Sequence, residues 1–209
     1  MRKTCVNSLH RRVFRQFVWI GLLLTVSSPG WGASGIAESS LEFGRFGKVI
    51  LYSPPAEPDR VVLFISGDGG WNLGVVDMAR ELAGLDALVV GIDIRHFLKS
   101  VEASQDQCAY PAADFEALGR FVQKKLGYRT FHRPVLVGSS SGATLAYATL
   151  AQAPVGTCSG AVSLGFCPDL MLHKPMCKGA GLTYKTDPKL GQVFDPVPRL
   201  ADPWVAFHG

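Results

Sequence analysis

Short continuous apolar runs alternate along this chain with segments in which apolar residues recur at helical spacing. The continuous runs are typical of strands buried on both faces of a parallel sheet, and they occupy residues 61–65, 87–93, 135–137 and 160–165. The segments predicted to be helical occupy residues 75–82, 111–126 and 143–151. Strands that alternate with helices predict an α/β fold with a doubly wound, mostly parallel sheet covered on both faces.

Three other segments frame this core. Between residues 41 and 52, apolar and polar residues alternate loosely around Gly44 and Gly47, which predicts a hairpin at the sheet edge. Residues 167–198 are polar and dotted with Pro and Gly, so we expect a lid or cap insertion there. A last apolar run at residues 203–209 predicts the beginning of one more strand.

Charge changes the interpretation of the N-terminus. Five of the 21 Lys and Arg residues precede every acidic residue, and an apolar run at residues 17–26 follows them. Small and turn-forming residues come next, so residues 1–33 have the pattern of a secretory signal peptide, with cleavage expected somewhere in 32–37. The domain of the exported protein is then residues 34–209. It is nearly neutral, with 16 basic and 17 acidic residues, so a nucleic-acid-binding surface is not expected.

Four cysteines follow the predicted leader: Cys108, Cys158, Cys167 and Cys177. An even number of cysteines in an exported chain predicts disulfides. Cys167 and Cys177 bracket a Pro-containing loop and are the favoured pair, although three pairings are open. No pair has metal-ligand spacing with a histidine nearby, so no metal site is expected.

The strongest chemical signal is a Gly-x-Ser-x-Gly pattern formed by Gly138, Ser140 and Gly142. An apolar run ends abruptly before it and an Ala-rich helical segment follows at once. A sharp strand-to-helix turn strains the backbone of its central residue, and flanking glycines relieve the crowding. The pattern predicts Ser140 as an exposed nucleophile, and the alternative is an ordinary turn between a strand and a helix.

A second loop, Ser-Gly-Asp-Gly-Gly-Trp at residues 66–71, lies between an earlier strand and its helix. In serine hydrolases of this architecture such a loop supplies one oxyanion-hole N–H, and the residue after the nucleophile supplies the other. We expect these donors to be Asp68, or else Gly69, together with Ser141. The Asp68 side chain should point away from the oxyanion or meet a cationic substrate group. The loop lacks the Lys-Ser/Thr ending of a P-loop, and the remaining alternative is a tight turn that caps the next helix.

Other residues at the predicted carboxyl edge of the sheet are candidates to line a pocket. Asp93 and His96 follow the strand run at residues 87–93, where ligands bind in open α/β sheets, and Trp71 ends the glycine loop. For His96, a plain loop histidine is the competing interpretation.

With these motifs in place, the chain resembles the bacterial VirJ/AcvB family. The resemblance rests on the serine turn, the loop at residues 66–71 and the Leu-Gly-Phe-Cys-Pro-Asp segment at residues 164–169. It implies an α/β-hydrolase fold, a periplasmic location and hydrolysis of aminoacylated phosphatidylglycerol, notably lysyl-phosphatidylglycerol, without a cofactor. It also implies a link to type IV secretion components. Long members carry two such domains, so the chain could be the N-terminal half of a two-domain protein.

The chain departs from the triad order of this fold, which is serine, then acid, then histidine. His132 precedes the serine, His173 lies in the insertion and His208 is at the last strand, and none suits the base. Asp169 is a possible acid. We therefore expect the domain to be truncated at its C-terminus, and the rival function is a non-catalytic binding module.

A lysyl ester would need a carboxylate that meets the substrate ammonium group. By position alone, Asp68, Asp93 and Asp169 are the candidates.

Overall fold

A hairpin forms one edge of the structure. In the computed structural model, which describes residues 35–208, β1 (Ala37–Phe43) pairs antiparallel with β2 (Gly47–Ser53) across one turn of 3-10 helix (Gly44–Phe46). The hairpin predicted from residues 41–52 is confirmed. The predicted signal peptide, residues 1–33, lies outside the described residues.

Strands and helices then alternate as the apolar pattern predicts. In chain order they are β3 (Arg60–Ile65), α1 (Leu73–Ala83), β4 (Ala87–Ile92), α2 (Ile94–Ala103), α3 (Pro111–Lys125), β5 (Val135–Ser139), α4 (Ser141–Gln152) and β6 (Gly160–Leu164). The segment after β6 contains the short strands β7 (Asp169–Leu170), β8 (Tyr184–Asp187) and β9 (Gly191–Phe194), and β10 (Trp204–Phe207) follows it.

The main sheet has seven strands in the order β1-β2-β4-β3-β5-β6-β10. From β4 to β10 all neighbours run parallel, while β2 is antiparallel to β4. β3 and β4 are buried on both faces, which explains their continuous apolar sequences. Because the strands after β2 are parallel, the loops that follow β3, β4, β5, β6 and β10 all lie at one edge of the sheet.

The two faces of the sheet carry separate apolar clusters. One cluster joins the sheet to α2, α3 and α4 and includes Phe46, Phe97 and Phe115, whose rings contact one another. The other joins the sheet to α1 through Val75, Ala79 and Ala83. The expected doubly wound architecture is therefore present. No helix within residues 35–208 combines the length and the apolar character needed to cross a bilayer.

The residues after β4 are predicted as pocket or loop residues, and the structure instead forms helix α2 there. Its apolar residues Ile94, Phe97 and Val101 are buried at helical spacing, a signal present in the sequence. Asp93 caps the helix, since its Oδ1 accepts a hydrogen bond from the Arg95 N–H at 2.9 Å.

The predicted insertion is a small antiparallel sheet in the order β7-β9-β8, anchored to the main core. Its apolar residues Leu170, Leu172, Met176 and Phe194 are at most 3% exposed and belong to the cluster that contains α4. The segment therefore packs as part of the domain, more firmly than a lid would.

The disulfide predicted between Cys167 and Cys177 is wrong. Cys177 is bonded to Cys108, with Cα atoms 4.9 Å apart. The reason is a pair of backbone hydrogen bonds: the Ala109 N–H donates to the Pro175 carbonyl and the Cys177 N–H to the Ala109 carbonyl, each at 2.8 Å. These bonds align the insertion with the segment before α3, a long-range pairing that cysteine spacing does not reveal.

Cys158 is buried outside this disulfide. Burial, with smaller contributions from the negative charges of Asp202 and Glu116, raises the pKa of its thiol to about 12. Because the thiolate is the reactive form, the side chain acts as a small apolar group.

Candidate active site

Ser140 occupies a strained turn between β5 and α4. Its backbone has φ 54° and ψ −123°, and Asp86 is the one other non-glycine residue with positive φ between residues 35 and 208. Such a conformation costs about 1–3 kcal/mol and persists only where the surroundings impose it. Here the Ser140 N–H donates to the Leu164 carbonyl at 2.8 Å, which ties the turn to the end of β6. The side chain is exposed, as a nucleophile requires.

The two flanking glycines permit a close approach of backbone segments. A Cβ at Gly138 would lie 2.0 Å from the Gly142 carbonyl oxygen. A Cβ at Gly142 would lie 2.3 Å from the Ser66 carbonyl oxygen and 2.5 Å from that of Ile65. The steric role predicted for both glycines is confirmed, and the second contact brings the start of α4 against the end of β3.

This approach places the glycine loop, residues 66–71, directly beside Ser140. A Cβ at Gly67 would lie 3.0 Å from the Ser140 Cβ and 3.7 Å from its Oγ. The Gly70 N–H donates to the Gly67 carbonyl at 2.9 Å, so Asp68 and Gly69 form the exposed tip of a tight turn. The sequence prediction that the loop and the serine meet at one edge is confirmed.

Backbone N–H groups that could bind a ligand lie at this edge of the sheet. The N–H groups of Asp68 and Gly69 have no hydrogen-bond partner among residues 35–208. The first intrahelical bonds of α4 run from Ala143 and Thr144 back to the Ser140 carbonyl, so the Ser141 N–H stands at the helix N-terminus. Donors of this kind suit an anion or a developing oxyanion. The assignment of Asp68, Gly69 and Ser141 to an oxyanion hole stays a prediction.

The Asp93 carboxylate is already engaged in hydrogen bonds and an ion pair. It accepts hydrogen bonds from the Arg95 N–H, from the Arg95 guanidinium and from the Trp71 N–H at 3.4 Å. Burial tends to raise the pKa of Asp93, but these hydrogen bonds outweigh it and hold the pKa below its usual value. The stabilisation from these contacts is therefore present above the usual carboxyl pKa, and it is lost only as the pH falls through the lowered folded-state value.

Trp71 anchors the loop in the core beside α1. Its ring lies over Gly91, where a Cβ would come within 2.1 Å, and packs edge-on against Phe64. The indole N–H donates to the Tyr52 hydroxyl at 3.3 Å. Trp71 thus holds one end of the loop, and its indole faces the core.

The structure does not bring His96 to Ser140. The residue lies on α2, not in a loop, and its exposed ring packs against Gly47 at the start of β2. β2 is separated from β5 by β4 and β3, so the ring belongs to the hairpin side of the sheet. The register of α2 directs the His96 side chain to the hairpin, and the assignment of this residue to the pocket stays a prediction.

No histidine of residues 35–208 hydrogen-bonds to Ser140. His208 follows β10, whose Phe207 carbonyl accepts from the Gly165 N–H at 2.8 Å, so it lies at the same edge of the sheet as the serine turn. Asp169 is half-buried in β7. Its role as the acid stays a prediction.

Sequence reasoning missed an apolar cavity of about 420 Å³ on the flank of α4. The rings of Tyr147, Phe166 and Trp204 form one side, with centroids 4.8–5.2 Å apart, and Phe194 and Val197 of the insertion form another. These residues come from four separate segments and share no local pattern.

The strand order, the serine turn after β5 and the glycine loop after β3 define an α/β-hydrolase-type domain. Among solved structures, a Klebsiella pneumoniae protein assigned to the dienelactone hydrolases matches with a TM-score of 0.51 and 17% identity, over 68% of this chain and 65% of that one. The siderophore hydrolase EstB of Aspergillus fumigatus matches with a TM-score of 0.47 and 13% identity, over 66% and 45%. The Francisella virulence factor BioJ matches with a TM-score of 0.45 and 15% identity, over 62% and 43%.

Residues 59–161 match the family model described as bacterial virulence protein (VirJ). The segment is just under half of the chain and contains both the glycine loop and the serine turn, so the resemblance drawn from them is confirmed there. No curated protein matches the sequence. The chain spans less than two thirds of each of the three solved structures above.

Proposed function

We propose that this domain is the core of an exported serine hydrolase that cleaves an ester, with Ser140 as the nucleophile. The observation that carries the proposal is the strained, exposed Ser140 beside the Gly67 backbone, where an added Cβ would lie 3.7 Å from Ser140 Oγ. A protein rarely keeps such strain in a non-glycine residue without a functional reason. The VirJ match and the hydrolase-type fold support the same conclusion.

In the proposed mechanism, Ser140 Oγ attacks the ester carbonyl while a histidine base takes its proton. The N–H groups of Asp68 and Ser141 bind the oxyanion that develops, each contributing roughly 3–4 kcal/mol of transition-state stabilisation. The base returns the proton to the leaving alcohol, and water then releases the acyl group by the same route. An acid such as Asp169 would orient the base.

The proposed substrate is aminoacylated phosphatidylglycerol, with lysyl-phosphatidylglycerol foremost. The resemblance to the VirJ/AcvB family motivates this choice. Asp68 supports it, because its exposed carboxylate lies at the loop tip and can meet the lysyl ammonium group. Asp93 is less suited, since Arg95 already neutralises it.

Export to the periplasm is part of the proposal. The Cys108–Cys177 disulfide supports it, because disulfides persist in oxidising compartments. The leader-like pattern of residues 1–33 supports it independently. Contact with type IV secretion components and a second domain in tandem are further proposals from the same resemblance.

The second candidate function is a non-catalytic module that holds a lipid or a secretion component. It is favoured by one observation: Ser140 has no histidine partner within residues 35–208. The two candidates differ in turnover, which can be measured.

The test is the release of lysine from vesicles that contain lysyl-phosphatidylglycerol, using the full-length gene product. The hydrolase proposal predicts release by the wild type and none by Ser140→Ala. Ser159→Ala is the matched control, because Ser159 hydrogen-bonds to the Arg133 carbonyl at the opposite sheet edge. Full activity of Ser140→Ala would refute the proposal, and vesicle binding without release by the wild type would favour the binding module.

A further inference from the structure

The glycine loop is tied at both ends to the start of α2. At its first residue, the Ser66 N–H donates to the Ile92 carbonyl at 3.0 Å, and Ser66 Oγ accepts from the Ile94 N–H at 3.1 Å. At its last residue, the Trp71 N–H donates to Asp93 Oδ2 at 3.4 Å. The open donors of Asp68 and Gly69 lie between these two attachments.

The Arg95 guanidinium lies against Gly70, near the end of the loop. A Cβ at Gly70 would come within 2.1 Å of Arg95 Nη2, so the guanidinium lies close against this residue, whose φ of +78° favours glycine. Arg95 Nη2 donates to Asp93 Oδ2 at 3.1 Å and Nε to Oδ1 at 3.4 Å. Asp93 thus holds the guanidinium beside Gly70.

Helix capping alone does not account for this arrangement. A cap requires the bond from the Arg95 N–H to Asp93, and nothing more. It does not require the Trp71 N–H to share the same carboxylate or the guanidinium to cover Gly70. Within the loop the Gly70–Gly67 bond is the one backbone hydrogen bond, so its conformation depends on these outside contacts.

We propose that Asp93 and Arg95 are positioning residues that hold the loop at residues 66–71 in the conformation that aims its N–H groups at the oxyanion. The inference rests on the proposed function. Neither side chain needs to touch the substrate, because each acts through the backbone of Gly70 and Trp71. A misplacement of about 1 Å in such a donor can lower the rate of the chemical step roughly 100-fold.

The experiment compares steady-state kinetics of Arg95→Ala, Arg95→Lys and Asp93→Asn in the full-length protein, with a soluble ester as substrate. Arg95→Ala should lower kcat roughly 10- to 100-fold with little change in KM, since the oxyanion exists only in the transition state. Arg95→Lys should recover part of kcat. Arg129→Ala is the matched control, because Arg129 is an exposed arginine paired with Glu57 away from the loop.

A double-mutant cycle separates positioning from general destabilisation. Gly70→Ala should lower kcat both by straining the backbone at this φ and by displacing the guanidinium, and the second part of its effect should be absent in the Arg95→Ala background. Additive effects of the two substitutions, or an unchanged kcat in Arg95→Ala, would overturn the inference while Ser140→Ala still abolished turnover. If Ser140→Ala kept full turnover, the proposed function itself would fail.

Discussion

The two ends of α4 are held in different ways. At its N-terminus, backbone meets backbone: Gly142 touches the carbonyls of Ile65 and Ser66, and Gly138 touches the carbonyl of Gly142. At its C-terminus and flank, side chains attach the insertion in addition to the backbone hydrogen bonds that Ala180 and Gly181 donate to the last carbonyls of the helix. Tyr147 donates to the Asp195 carbonyl and accepts from the Val197 N–H, and the buried Gln152 amide bonds to three backbone groups.

The two kinds of contact have different consequences: backbone packing fixes the geometry of the Ser140 edge, whereas the side-chain contacts of the insertion contribute to stability. A backbone contact without room for a Cβ allows one arrangement, so the Ser140 edge has its shape imposed by sterics. Side-chain contacts and a disulfide can be lost one at a time, each at a measurable cost in free energy. We therefore expect substitutions in the insertion to lower stability and leave the Ser140 edge intact, whereas substitutions at the glycines damage both.

The largest expected loss of stability comes from opening the disulfide. Cys108→Ser removes a cross-link between residues 69 positions apart, and the restored entropy of the unfolded chain should lower the free energy of unfolding by about 4 kcal/mol. Urea denaturation measures this change. Wild-type protein treated with reductant is the control and should match the variant. Equal stability of the variant and the oxidised wild type would show that the bridge does not hold the insertion.

Gly142→Ala should lower the free energy of unfolding by about 3 kcal/mol, because the added methyl forces the start of α4 away from β3. The same displacement should reduce the reaction of Ser140 with a fluorophosphonate. Gly74→Ala is the control, since a Cβ at Gly74 in α1 meets nothing within 4 Å. A fully stable and reactive Gly142→Ala protein would contradict the backbone contact.

These two regions also differ in what the sequence could predict. The serine turn was predictable because the glycines on either side of Ser140 are a local signal, and its meeting with the glycine loop was predictable because both follow parallel strands. The Cys108–Cys177 bridge was not, because it depends on a pairing between segments almost 70 residues apart. Helix α2 carried a readable signal in its apolar spacing, and without that signal His96 was assigned to a loop although it lies on the helix.

The smallest of the three effects concerns Gln152, whose side chain accepts from the Ala112 N–H and donates to the Ala109 and Cys177 carbonyls. Gln152→Leu should cost about 2 kcal/mol, since it leaves buried backbone groups unpaired. Fluorophosphonate reactivity should be unchanged. Gln105→Leu, at an exposed position, is the control. Loss of Ser140 reactivity at full stability would mean that the insertion shapes the active edge after all.

The central claim is that Ser140 and the open N–H groups beside it form one acyl-transfer site. A crystal structure of the full-length protein after reaction with a phosphonate ester tests it most directly, because the phosphonyl oxygen stands in for the oxyanion of the tetrahedral intermediate. The account predicts a covalent bond to Ser140 Oγ and a phosphonyl oxygen about 3 Å from the N–H groups of Asp68 and Ser141. An adduct on another residue, or a phosphonyl oxygen turned away from the glycine loop, would contradict it.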